Sequence, residues 1–151
     1  MSHTPVNHPL RPLYRVLAGL TGLYVLLFGI LGAVETAGTD PFDHPSAYAL
    51  GLRTNHAFSV ISIIAGLIVV AATIVGRNID HQVNQVAGYA FAVIGMLMLA
   101  LLQTDANFLN FSVATCIVSF VISLLLLTAG LYSKVGSPDD VEAERAFQSR
   151  H

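Results

Sequence analysis

The sequence predicts an all-α integral membrane protein, a four-helix antiparallel bundle with its N and C termini cytoplasmic. Three observations predict it. Of 151 residues, 54% are apolar and 11% are charged, and mean hydropathy is +0.68; a soluble domain carries about 25% charged residues. The charges are also grouped. No Asp, Glu, Lys or Arg occurs in Val16–Val34, Thr54–Gly76, His81–Thr104 or Ala106–Ser133, and a helix crosses a bilayer core in about 20 residues. Finally, the cations divide unequally between the two sides of that topology. Arg11, Arg15, Arg77, Lys134, Arg145 and Arg150 fall on one side and Arg53 alone on the other, which places the termini in the cytoplasm by the positive-inside bias.

The elements follow in order. Residues 1–13 form a cytoplasmic tail, and the first span covers about 14–34. Its apolar run exceeds the roughly 7–15 residues of a secretory signal, so it is read as a retained span. The loop after it carries Asp40-Pro41 and His44-Pro45, which break helices. The second span covers about 56–76, the third 82–102 and the fourth 108–132. The links around Arg77 and Asp105 are short, so the second and third helices, and the third and fourth, should be antiparallel neighbours. Continuous apolar runs lack the alternation of a membrane β-barrel. Tyr14, Phe42, Tyr48, Phe108, Phe111 and Tyr132 lie near span ends and serve as interface anchors in a chain without Trp. In the tail 135–151, Ser137-Pro138-Asp139-Asp140 reads as a helix start. That short helix is either solvated or docked on a partner.

Each span carries one face of small residues. Ala18, Gly22, Gly29 and Gly32 share an arc in the first, Ser59, Ser62 and Gly66 in the second, Gly88, Ala92 and Gly95 in the third, and Thr115, Ser119 and Ser123 in the fourth. Lipid tails are as apolar as leucine, so membrane helices associate through small residues that let backbones approach. The expected packing positions are Gly22, Gly29, Ser62, Gly66, Gly88, Thr115, Ser119 and Ser123. The alternative is a polar lumen lined by Ser59, Ser62, Thr115, Ser119 and Ser123.

No carboxylate, histidine, lysine or arginine lies near the centre of a span, which argues against ion-coupled transport or voltage sensing. Polar groups gather at the boundaries instead. The outer cluster is Glu35, Arg53, Asn55, His56, Asp105, Asn107 and Asn110, with His44 in the loop. It reads as a network stapling the loops, with an ion pair from Arg53 to Glu35 or Asp105; a metal site from His44, His56 and an acid is the sharper alternative. The inner cluster is Arg77, Asp80, His81, Asn84 and Gln85, with Arg11 and Arg15 close in topology. It reads as caps for helix ends, or as a seat for a lipid or quinone head. His56 and His81 fall on opposite sides of the membrane, and His3, His8, His44 and His151 lie in tails or a loop, so bis-histidine haem is not expected. Cys116 reads as a small buried hydrophobe. No nucleophile–base pair, phosphate loop or metal motif is visible, so no enzyme activity, cofactor or metal is expected. A net charge of −2 offers no field for nucleic acid.

Three segments carry a family resemblance: Arg11-Pro12-Leu13-Tyr14-Arg15, Ala49-Leu50-Gly51-Leu52-Arg53-Thr54-Asn55, and Asp105-Ala106-Asn107-Phe108-Leu109-Asn110-Phe111 at the opening of the fourth span. With them the chain resembles a family of small actinobacterial four-span membrane proteins classed as a domain of unknown function. The resemblance implies a plasma-membrane bundle and brings no catalytic residue. The expected role is a structural or accessory subunit of a larger cell-envelope complex, such as a lipid-uptake or respiratory assembly, whose partners are the bilayer and other membrane proteins. A binding protein or passive carrier for a lipid, quinone or small neutral solute is the alternative.

Overall fold

In the computed structural model, residues 6–150 are described; residues 1–5 and 151, with His3, His151 and the start of the 1–13 tail, lie outside them. Four of the helices are long and apolar enough to cross a membrane. Pro12 sits in the first turn of α1 (Arg11–Glu35), where its missing N–H costs no hydrogen bond. A short hairpin follows, β1 (Ala47–Ala49) and β2 (Leu52–Thr54). Asn55 then caps α2 (His56–Val75) by accepting the Phe58 N–H at 2.9 Å. Gly76, Arg77 and Asn78 all take positive φ and reverse the chain into α3 (Ile79–Leu101). Ser112 caps α4 (Val113–Tyr132), and α5 (Pro138–Gln148) starts on a Ser137–Asp140 capping box.

Three features depart from the expected element map. The loop between the first two spans contains the hairpin, with Ala47 opposite Thr54, Tyr48 opposite Arg53 and Ala49 opposite Leu52. Leu50 and Gly51, both at positive φ, form the two-residue turn that matches strand twist. Ala47, Ala49, Leu52 and Thr54 point inward and Tyr48 outward. Secondly, the fourth helix begins at Val113 rather than 108. Asn107 accepts the Phe111 N–H and donates to the Phe111 carbonyl, both at 2.9 Å, and Asn110 takes φ 54°, so residues 107–111 fold as a loop. That loop buries Leu109 and Phe111 in the core, so Phe111 is a core ring and not an interface anchor. Thirdly, the first and third helices begin three residues earlier than expected, at Arg11 and Ile79.

The bundle is two close helix pairs, α1 with α2 and α3 with α4, which touch each other less extensively. Within the first pair, a Cβ on Gly66 would stand 2.5 Å from the Leu26 backbone nitrogen, and one on Gly29 would stand 2.6 Å from that of Ile63. These backbones are in contact and no side chain fits between them. Gly22 faces Val69 on the same seam. In the second pair, Ser123 Oγ donates to the Gly88 carbonyl at 2.7 Å. Ser62, Thr115 and Ser119 are also buried.

Gly66→Leu should lower bundle stability by about 3 kcal/mol, because backbone cannot give way to the new side chain. Gly19→Ala, whose Cβ would meet only the Thr73 methyl at 3.2 Å, should stay within about 1 kcal/mol of the native protein. Thermal melting of the two variants in one detergent separates them. At the C-terminal end, the Asp140 carboxyl is held below its ordinary value by hydrogen bonds from the Ser137 backbone N–H and hydroxyl, helped by the Lys134 charge. A lowered folded-state value stabilises the helix start above the ordinary Asp range, near pH 3.9, and loses that effect as pH falls through the lowered value. Amide NMR of Ser137 and Val141 should report α5 fraying only at acid pH below that range.

Candidate functional site

Polar side chains collect at the two ends of the bundle, here called the hairpin end and the terminus end. At the hairpin end three buried asparagines tie separate segments together. Asn55 caps α2 with its oxygen and donates through Nδ2 to the carbonyls of Phe108 at 2.7 Å and Asp43 at 3.3 Å. Asn110 donates to Thr54 at 2.7 Å and Pro45 at 3.0 Å. Asn107 closes its own loop on Phe111, and its carbonyl accepts from His44 Nε2 at 2.7 Å. The Thr36 hydroxyl donates to the Gly32 carbonyl at 2.7 Å, so His56 Nδ1 is the donor to Thr36 Oγ1 at 3.2 Å. An amide side chain suits this work because one planar group both accepts and donates.

The charged members of the expected outer cluster stand apart from it. Glu35 and Asp105 are exposed and Arg53 is half-buried on the hairpin. Among the described residues no ion pair joins Arg53 to either acid. The hairpin register explains this: Arg53 lies across from Tyr48 on the outward face. His44 and His56 are engaged by different segments, and among the described residues no three His, Cys, Asp or Glu side chains are grouped to hold a metal.

At the terminus end Asp80 is fully buried. Arg15 Nε stands 3.3 Å and an Arg11 guanidinium nitrogen 3.6 Å from its carboxylate. Arg15 also donates to the Thr73 carbonyl on α2, and Arg11 Nε to the Ser133 carbonyl after α4 at 2.7 Å. The two arginines on α1 therefore reach all three other spanning helices or their ends. His81 Nδ1 donates to the Gly130 carbonyl at 2.5 Å. Asn78 exchanges two bonds with Val135, at 2.6 and 2.8 Å. Gln85 packs on Gly130. Asn84, one turn beyond Asp80, is fully buried with neither amide atom hydrogen-bonded. Arg77 is exposed and does not join this cluster, because its positive φ turns the chain away there. Arg11 and Arg15 take its place. The clasp itself was not visible in sequence, although Asp80 stands one helical turn before Asn84 on the small-residue face.

The hydroxyl stripe is engaged. Ser59, Ser62, Thr115 and Ser123 each donate to a backbone carbonyl. The cavity beside Ser62, Thr115 and Ser119 holds about 20 Å³, room for about one water. A lumen along the stripe is therefore not formed.

These features define a multi-pass helical membrane bundle with polar clasps at both ends. Within that class, the chain belongs to the family of the domain of unknown function DUF4383, whose match runs over residues 15–132. The matched segment takes in Arg15, Asp80 and the hairpin-end asparagines, and leaves out Arg11 and α5. No curated protein and no solved structure matches the chain.

Asn55→Ala should destabilise the bundle by about 2–3 kcal/mol, since it removes a cap and two part-buried bonds to loop carbonyls. Arg53→Ala should stay within about 0.5 kcal/mol. Denaturation of both variants in the same detergent, followed by circular dichroism, measures the difference.

Proposed function

We propose that this protein is a structural or accessory subunit of a larger cell-envelope assembly, of the lipid-uptake or respiratory kind, in an actinobacterial plasma membrane. It acts through the outer faces of its helices. The carrying observation is the closed interior: four of five stripe hydroxyls are bonded to backbone, around space for about one water. Such an interior favours helix packing over passage of a solute through the bundle. The grouping of buried charge at one end, in the Asp80 clasp, fits a rigid scaffold better than a proton or ion path, which needs ionisable groups along the span. No catalytic role is proposed. The cation bias of the sequence supports cytoplasmic termini.

The alternative, a binder or carrier of a lipid, quinone or neutral solute, divides on this geometry. A central polar path loses support, because the hydroxyls are bonded to backbone. Of the head seat expected at Asn84 and Gln85, Gln85 packs on Gly130, while the buried Asn84 amide has no hydrogen-bond partner. A lipid at the bundle surface gains support from the α2–α3 seam.

Affinity purification of the full chain from its native membranes in a mild detergent tests the main reading. A fixed set of membrane proteins should co-migrate with it at constant ratio through size exclusion. Recovery as a free monomer across several mild detergents would count against it.

A further inference from the structure

The seam between α2 and α3 is open although only Gly76, Arg77 and Asn78 link the two helices. Ala65 on α2 faces Ala87 and Ala90 on α3 across the gap, and no larger side chain fills it. The part nearer the hairpin end is a pocket of about 140 Å³ under Phe58, Phe91 and Ile94. Leu109 and Phe111 line its far end, where the Phe58 and Phe111 rings stand 4.5 Å apart. Towards the terminus end, an open section of about 400 Å³ shares Ala65 and Ala87 with the pocket and runs past Val86 to Gln82.

The shape selects among occupants. From Gln82 to Ile94 the groove runs about 18 Å along α3 at 1.5 Å per residue. One leaflet of a bilayer core is about 15 Å deep. A crossing helix would need twice that length, and this groove is blocked by the buried loop carrying Phe111. A single acyl chain entering from one leaflet fits both the length and the blind end. Water does not, since an apolar cavity stays dry.

The mouth selects among lipids. Gln82 lines it, and Arg77 stands exposed in the link at the same end. Arg11 and Arg15 are committed to Asp80 and to backbone carbonyls. Among the described residues Arg77 has no such partner, and a guanidinium pairs well with phosphate oxygens.

We propose that the α2–α3 groove binds one acyl chain of an anionic phospholipid from the leaflet at the terminus end, with its phosphate against Arg77 and Gln82. This site is independent of whether the bundle works alone or in an assembly.

The test uses the full chain in phosphatidylcholine nanodiscs containing either phosphatidylglycerol or phosphatidylcholine with a photoreactive diazirine at the end of one acyl chain. After irradiation, peptide mapping of the phosphatidylglycerol sample should place label on Ile61, Phe91 and Ile94 in preference to Leu27 and Leu124, which are exposed elsewhere. Ala90→Phe, which fills the pocket, should cut that label about tenfold, equivalent to about 1.4 kcal/mol. Ala87→Leu should cut it in the same direction and replaces Ala90→Phe as the readout if that variant does not fold by size exclusion. Arg77→Gln should reduce phosphatidylglycerol labelling about fivefold and phosphatidylcholine labelling less, because the choline charge offsets its phosphate. Even label over all helix faces, or label indifferent to the filling variants, would mean only annular lipid and overturn the site. Equal labelling by both lipids, indifferent to Arg77→Gln, would overturn the anionic head. Groove residues protected from lipid and cross-linked to another protein chain would overturn the lipid occupant.

Discussion

The close approach of α1 and α2 at Gly29 and Gly66 sets the terms for the rest of the bundle. In lipid, a leucine gains little by moving from tails to a protein neighbour, so attraction must come from surfaces that meet without gaps. At Gly66 the meeting is backbone on backbone, with no room for a Cβ. At Gly88 in the other pair, a side-chain hydroxyl adds a hydrogen bond across the seam. Each pair is held along its length, and the two pairs touch each other less extensively. The α2–α3 seam shows the consequence: Ala faces Ala across it and space remains.

The two pairs are held together at their ends, by polar groups that differ in kind. At the hairpin end neutral amides bind backbone carbonyls of loops, where the chain has left the helical state and its carbonyls need donors. At the terminus end a buried carboxylate holds two guanidinium groups from α1, which also bond to carbonyls at the ends of α2 and α4. Arginine suits that position because its long stem lies along apolar helix while its head reaches the boundary. A buried ion pair contributes more to geometry than to net stability. Asp80 therefore acts chiefly to fix where α1 starts relative to α3.

Much of this was legible in the sequence and some was not, for separable reasons. The four spans were legible because charge is excluded from about 20 residues at a time, a signal longer than any accident of composition. The small faces were legible because helical period is regular. The hairpin was not: six residues of alternation around Leu50-Gly51 are shorter than the Pro-containing loop that hides them. The start of α4 was not, because Phe108, Leu109 and Phe111 are as apolar in a buried loop as in a span. Only the Asn107 side-chain bonds to Phe111 distinguish the two. That Arg11 and Arg15 lie near the inner cluster was legible from topology, but their pairing with Asp80 was not. Arg77 is three residues away in sequence and points elsewhere, whereas Arg15 is brought across the bundle by packing that no local pattern encodes.

The same contrast explains why the sites fall where they do. A residue engaged at both of its functions, such as Asn55, is a structural tie and has nothing left to offer a ligand. Asn107 is of this kind too, whereas Asn110 donates twice but its Oδ1 is buried without a partner. Four of the stripe hydroxyls are bonded to backbone. What remains uncommitted includes the buried Asn84 amide, the apolar α2–α3 seam and the exposed Arg77 at one end of it. Tight pairs clasped at their ends leave their slack on the flanks, in the middle of the bilayer. A bundle built in this way keeps its interior closed, so the binding proposed above would take place on its flanks.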